Sequence, residues 1–105
     1  MTYEEIVAKV KERLANVDTS KVGDFLAIQV NITGEGEGAF YVEVKDGKLS
    51  VEPYEYHDRQ AKIIMKSKNF LALMDGKLDP VLAFTLGKLK IEGSVEKVLE
   101  FGKLL

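Results

Sequence analysis

Within each segment between Leu26 and Val51 the large aliphatic residues fall on every second position, a period that extended strands satisfy and helices do not. Leu26, Ile28, Val30 and Ile32 form one series, with Gln29 and Asn31 in the other. Gly34-Glu35-Gly36-Glu37-Gly38 interrupts the pattern, and Phe40, Val42 and Val44 resume it against Tyr41, Glu43 and Lys45. Asp46-Gly47 is a two-residue hairpin signal, because both residues tolerate the positive φ of a type I′ turn. Leu49 and Val51 then form the return strand, so the segment predicts a three-stranded antiparallel meander. Ala61, Ile63 and Met65, alternating with Lys62 and Lys66, predict a fourth strand, and Lys88–Glu92 a fifth.

Elsewhere the period is helical. Thr2 and Glu5 have capping-box spacing, and Ile6, Val10, Leu14 and Val17, with Val7 beside them, define a buried stripe. Ser67 is read as the cap of a short helix carrying Phe70, Leu71, Leu73 and Met74, which Gly76 ends. Asp79-Pro80 supplies a cap and a proline at the first helical position, ahead of an apolar turn from Val81 to Leu86 that Gly87 closes. Ser94 caps a last helix bearing Val95, Val98, Leu99, Phe101 and Leu105. The expected architecture is one α+β domain over residues 1–105, a five-stranded mostly antiparallel sheet with helices covering one face.

The bulk numbers restrict function more than they define it. Two halves of a 105-residue chain would each be too small to bury an adequate core. Hydrophobic residues at 46% and charged residues at 30% describe a folded globule. A pI near 5.4 gives no field that would recruit nucleic acid. The charge is uneven: residues 1–59 carry 7 basic against 12 acidic side chains (net −5), whereas 60–105 carry 8 against 5 (net +3). That second part suits transient contact with an anionic membrane surface, although the plainer account is that its lysines merely solvate exposed helix and strand backs. The chain has no cysteine, which fits a reducing compartment and removes any thiolate nucleophile or zinc ligand. No basic leader precedes an apolar run at the N-terminus, and the chain does not end in Ser-Lys-Leu, so a cytoplasmic location is expected.

Catalytic constellations are weak, and neither a cofactor nor a metal is called for. The one histidine, His57, lies in Tyr54-Glu55-Tyr56-His57-Asp58-Arg59, where a carboxylate neighbours the imidazole but no serine, cysteine or second acid motif points to it. An exposed polar loop accounts for the same residues. The Gly34–Gly38 segment lacks phosphate-loop spacing, its glutamates would repel a phosphate, and it lacks a calcium loop's ligand pattern, so it reads as a hairpin loop. More informative is the excess of flexible and bulky apolar residues from Met65 to Leu86, carried on more than one face of two short helices. Core packing explains them, and so does a cavity for apolar ligands.

The segment Asn69-Phe-Leu-Ala-Leu-Met-Asp-Gly-Lys-Leu-Asp-Pro80, followed by Ala83-Phe-Thr-Leu-Gly-Lys-Leu-Lys-Ile-Glu-Gly93, closely resembles the signature of sterol carrier protein 2 domains. The resemblance extends over Phe25–Val30, Phe40–Lys48 and Ile63–Ser67, which fall where that family has its first strands and its fourth. It implies an apolar tunnel between sheet and helices that binds a fatty acid, acyl-coenzyme A ester, phospholipid or sterol without catalysis. The lining it implies comprises Phe25, Ile28, Phe40, Val42, Met65, Phe70, Leu73, Met74, Leu82, Phe84, Leu86, Val98, Phe101 and Leu105. Where relatives commonly have Phe-Gln before the glycine this chain has Thr85-Leu86, which removes a polar contact and favours an acyl or hydrocarbon-like ligand. The chain also stops sooner than relatives whose C-terminal extension helps cover the tunnel. The same fold occurs as an accessory part of larger enzymes, so the alternative is a protein-interaction or homodimer module whose groove is filled by protein.

Overall fold

The computed structural model describes residues 1–105 as five strands and four helices. Helix α1 (Tyr3–Leu14) is followed by a single 3-10 turn at Thr19–Lys21, then by β1 (Phe25–Thr33), β2 (Gly38–Lys45), β3 (Lys48–Glu52) and β4 (Ala61–Lys66). Helices α2 (Ser67–Met74) and α3 (Pro80–Thr85), strand β5 (Lys90–Gly93) and α4 (Val95–Gly102) complete the chain. The sheet order is β3-β2-β1-β4-β5, and every neighbouring pair is antiparallel except β1 and β4.

Local signals in the sequence act as their chemistry requires. Thr2 and Glu5 close a reciprocal capping box, and Asp46 (φ 53°) with Gly47 (φ 77°) makes the tight β2–β3 turn. Gly76 and Gly87 close two Schellman motifs. The Lys77 N–H donates to Ala72 O (2.9 Å) and the Lys88 N–H to Ala83 O (2.8 Å). Four boundaries differ from expectation. Lys66, not Ser67, occupies the N-cap of α2, and no side chain caps that end. Val17 lies beyond α1 yet packs half-buried on the core. Strand β2 starts at Gly38, and β5 runs Lys90–Gly93 rather than Lys88–Glu92. Gly93 is irreplaceable on steric grounds, since a Cβ there would sit 2.7 Å from Gln60 O at a φ of +93°.

Register sorts the strand residues onto two faces. The even series of β1 pairs Ile28 with Val42 and Val30 with Phe40 on one side, and Ile28 with Ala61, Val30 with Ile63 and Ile32 with Met65 on the other. These residues join Ile6, Val10 and Leu14 of α1, Phe70, Leu73 and Met74 of α2, and Val98 and Phe101 of α4 in one buried cluster.

The odd face is covered by the chain itself. After β3 the polypeptide must cross β2 and β1 to reach the β4 position, and residues 53–60 make that crossing. Gln60 pairs with Ala27 through two hydrogen bonds, one from its backbone N–H to Ala27 O and one from the Ala27 N–H to its Oε1, both 2.9 Å. Buried Gln29 accepts from the Tyr56 N–H (3.0 Å) and donates to Asn31 Oδ1 (2.8 Å). The loop expected to be merely exposed therefore satisfies a polar group that would be costly to bury alone.

Tyr56 packs edge-on against Tyr41 (centroids 4.9 Å apart) and donates its hydroxyl to Glu43 at 2.6 Å. That hydrogen bond, reinforced by burial, pushes the Tyr56 phenol up to about 12. The folded state thus favours the protonated phenol. Its contribution to stability is complete below about pH 10, the unfolded value, and is lost as pH rises through about 12. In a phenolate absorbance titration the highest-pH step disappears in Tyr56→Phe; an unchanged curve above about pH 11 contradicts the hydrogen bond's role.

Candidate functional site

The chain's apolar residues divide between a sealed interior and an uncovered ledge. In the interior, Phe40 and Phe70 meet edge to face, with centroids 5.8 Å apart and rings at 70°. Around them Ile28, Val42, Met65, Leu73, Met74, Val98 and Phe101 are all buried. These nine of the predicted lining residues are brought together in one buried cluster between sheet and helices.

Helix α2 forms the wall of this interior because Phe70, Leu73 and Met74 lie on one of its faces. Its carboxyl end is held to α1, where Arg13 Nε donates to Met74 O (3.2 Å) and Lys9 pairs with Asp75 (3.0 Å). Positive groups at a helix C-terminus are favourable through the backbone dipole.

Helix α3 is different. Asp79 Oδ2 accepts from the Leu82 N–H (2.9 Å), Pro80 occupies the first turn, and Gly87 closes the other end. Yet Ala83 is the one residue of the helix that is buried. Leu82 and Phe84 are each 50% exposed, Leu86 and Val81 57%. Leu82, Phe84 and Leu86 therefore stand outside the buried cluster the other lining residues form. A helix apolar on nearly every side buries only the side it turns inward, here the smallest. Beyond it, α4 exposes Val95 and Leu99, which share a helical face with Gly102. Gly102 meets the Pro80 ring, with 3.4 Å between the ring and the position a Cβ would take.

Two further predicted residues depart from that cluster. Phe25 pairs with Lys45 and belongs by parity to the odd series of Ala27 and Gln29, so it faces away from the helices. Its place among lining residues is corrected accordingly. Leu105 is half-buried at the edge of the core, next to buried Leu104. Sequence reasoning missed the exposure of Val81, Val95 and Leu99; the signal was a six-residue helix with apolar side chains on several faces. His57 is exposed, beside Arg59, Gln60 and Glu92 on an open cleft of about 550 Å³. The structure holds no group of three or more His, Cys, Asp or Glu placed to bind a metal, and no helix is long and apolar enough to cross a membrane.

A mixed five-stranded sheet with an apolar interior closed by short helices defines an α+β fold shared with several solved proteins. The solution structure of palmitated SCP2L2 from Aedes aegypti superposes with a TM-score of 0.73 at 20% identity, over 99% of this chain and 94% of that one. The sec-alkylsulfatase Pisa1 from Pseudomonas sp. also superposes at 0.73, with 21% identity, over 85% of this chain and 14% of that one. In sequence, residues 5–105 match the SCP-2 sterol transfer family model, and the chain belongs to that family. Human sterol carrier protein 2 is 35% identical over 105 residues, 99% of this chain but 19% of that protein. The chain thus spans about a fifth of the length of the curated relatives it matches first.

Proposed function

We propose that this domain binds one long-chain lipid, with the acyl chain between the even face of the sheet and helices α2–α4, and performs no chemistry on it. The observation that carries the reading is the contrast within one apolar surface. A sealed cluster of aromatic, methionine and aliphatic side chains lies next to a helix that one buried alanine anchors. Segments with few buried contacts open at low free-energy cost, so α3 is the natural gate.

Support comes also from relatives, one a sterol carrier protein and one solved with palmitate. Phe40, Phe70 and Met74 then form the floor of the site, Phe84 and Leu86 its mouth. Affinity arises from apolar area at roughly 25 cal/mol per Å², so discrimination between similar chains is shallow. Leu86 offers no hydrogen bond, which suits an acyl chain better than a hydroxyl-bearing ligand. On this reading the domain carries its ligand between donors and acceptors.

Titration of delipidated protein with a naturally fluorescent polyene fatty acid tests it. Saturable one-to-one binding is expected, competed by palmitate and abolished by Phe84→Asp, a half-exposed position where a carboxylate is tolerated by the fold. A second reading is favoured by the match to a small part of larger proteins such as the alkylsulfatase: α3 and α4 are covered by protein, as an accessory or dimerisation surface. Absence of any acyl binding, together with a stable oligomer, would establish that reading instead.

A further inference from the structure

The sheet has a bare edge at β3. In the order β3-β2-β1-β4-β5 this strand has a neighbour on one side only. The two-residue turn at Asp46-Gly47 makes Lys45 and Lys48 a hydrogen-bonded pair, and bonded and non-bonded pairs alternate from there. Ser50 and Glu52 therefore bond to β2, whereas Leu49 and Val51 direct their N–H and C=O groups outward. No backbone hydrogen bond outside the sheet ladder reaches any of these four groups. The side chains of Leu49 and Val51 already pack on the core, so what the edge presents is backbone. An open cleft of about 450 Å³ lies between this edge and Lys11, Leu14 and Ala15 of α1.

The strand is also its own electrostatic complement. Set antiparallel to itself about Ser50, Lys48-Leu49-Ser50-Val51-Glu52 places Lys48 against Glu52 and Leu49 against Val51, once in each half. In that register Leu49 and Val51 form the hydrogen-bonded pairs, and theirs are the groups left free. Lys48 and Glu52 then meet on one face of the sheet, Leu49 and Val51 on the face that carries the core. Sliding by two residues loses this match. In one direction Leu49 meets Pro53, which has no N–H; in the other Val51 meets Gly47, whose carbonyl already accepts from the Thr19 hydroxyl (3.0 Å). Neither Lys48 nor Glu52 belongs to an ion pair within the chain, and Lys48 faces the like charge of Lys45 across the hairpin.

We propose that β3 is the docking surface for a second copy of this chain, which pairs antiparallel about Ser50 and joins the two sheets into one of ten strands across a two-fold axis. Charge complementarity selects this partner. Any extended peptide could satisfy the backbone, but a strand with acid and base at these two positions answers both Lys48 and Glu52. Five residues a side bury less than the roughly 1,200–2,000 Å² of a stable interface, so the dimer is weak and concentration-dependent. Strand β5, which follows α3, lies at the opposite edge, so the pairing is distinct from any dimer through α3 and α4 and is independent of acyl binding.

Hydrogen exchange and sedimentation equilibrium of the full chain test it together. Between about 10 μM and about 1 mM, where a weak interface associates, monomer gives way to dimer. Over the same range the Leu49 and Val51 amides become protected, whereas the Ser50 amide, bonded within the hairpin, is protected throughout. Lys48→Glu or Glu52→Lys sets like charges against each other twice across the axis and weakens dimerisation by about tenfold or more. Combining the two exchanges restores it, an outcome that a merely structural role for either residue does not produce. Val81→Asp, on α3, leaves the dimer unchanged. Lys48 is exposed and Glu52 half-buried, and melting temperature verifies that each variant is folded, while exchange on the unmodified chain needs no variant. A chain that stays monomeric up to about 1 mM overturns the proposal. So does a dimer in which the Leu49 and Val51 amides still exchange freely, or a double variant no stronger than the single ones.

Discussion

Saturating the delipidated protein with palmitate raises its melting temperature by about 10–20 °C. A ligand confined to the folded state at about one hundred times its dissociation constant adds roughly 2.7 kcal/mol, and each kcal/mol is worth about 4–8 °C in a domain near this size. The increment grows with chain length, because each buried methylene contributes about 0.8 kcal/mol. It levels off once the chain outgrows the space between sheet and helices. The physical basis is the division of the apolar surface: α3 contributes one buried side chain to the protein, so a ligand beneath it supplies contacts the chain lacks. Differential scanning calorimetry over a series of fatty acids measures this. A shift below about 2 °C for every chain length, at concentrations that saturate vesicle-free protein, contradicts acyl binding.

Phe40→Ala costs about 3–5 kcal/mol, enough to lower the melting temperature by about 15–30 °C. Phe40 is wholly buried, faces Val30 across β1–β2 and packs edge to face on Phe70. Its removal forfeits transfer free energy and the aromatic contact, and leaves a cavity whose walls belong to strands that cannot close on it. Phe84→Ala is the control, a phenylalanine of the same signature segment whose ring is half exposed; its cost stays below about 1 kcal/mol. Urea unfolding of the two variants gives the comparison directly. Equal costs would show that the interior is loosely packed and that burial does not separate floor from mouth.

What the sequence made legible was what neighbouring residues decide among themselves. Asp46-Gly47, Asp79-Pro80, Gly76 and Gly87 dictate turns and helix ends within four or five residues, and all act as expected. Strand parity was equally readable, and it places Phe25 opposite Leu26, away from the helices. The parallel pairing of β1 with β4 was not readable, because it depends on where residues 53–60 carry the chain. For the same reason Gln29 gave no sign of burial: its covering group, Tyr56, lies 27 residues away. The candidate site was legible in composition and obscure in arrangement. Nothing in the run from Val81 to Leu86 says that only Ala83 turns inward, or that Lys66 will face the lysines following Gly87.

The chain carries three methionines, and their methyl groups sample different places: Met65 and Met74 are buried in the interior, Met1 is exposed. Methyl-labelled protein titrated with carbon-13 palmitate reports where the acyl chain goes. With the lipid between sheet and helices, the Met65 and Met74 methyl resonances shift together and show nuclear Overhauser contacts to the acyl protons, while Met1 is unmoved. Binding that leaves both interior methyls unchanged would place the lipid on the surface and contradict an acyl site in the interior.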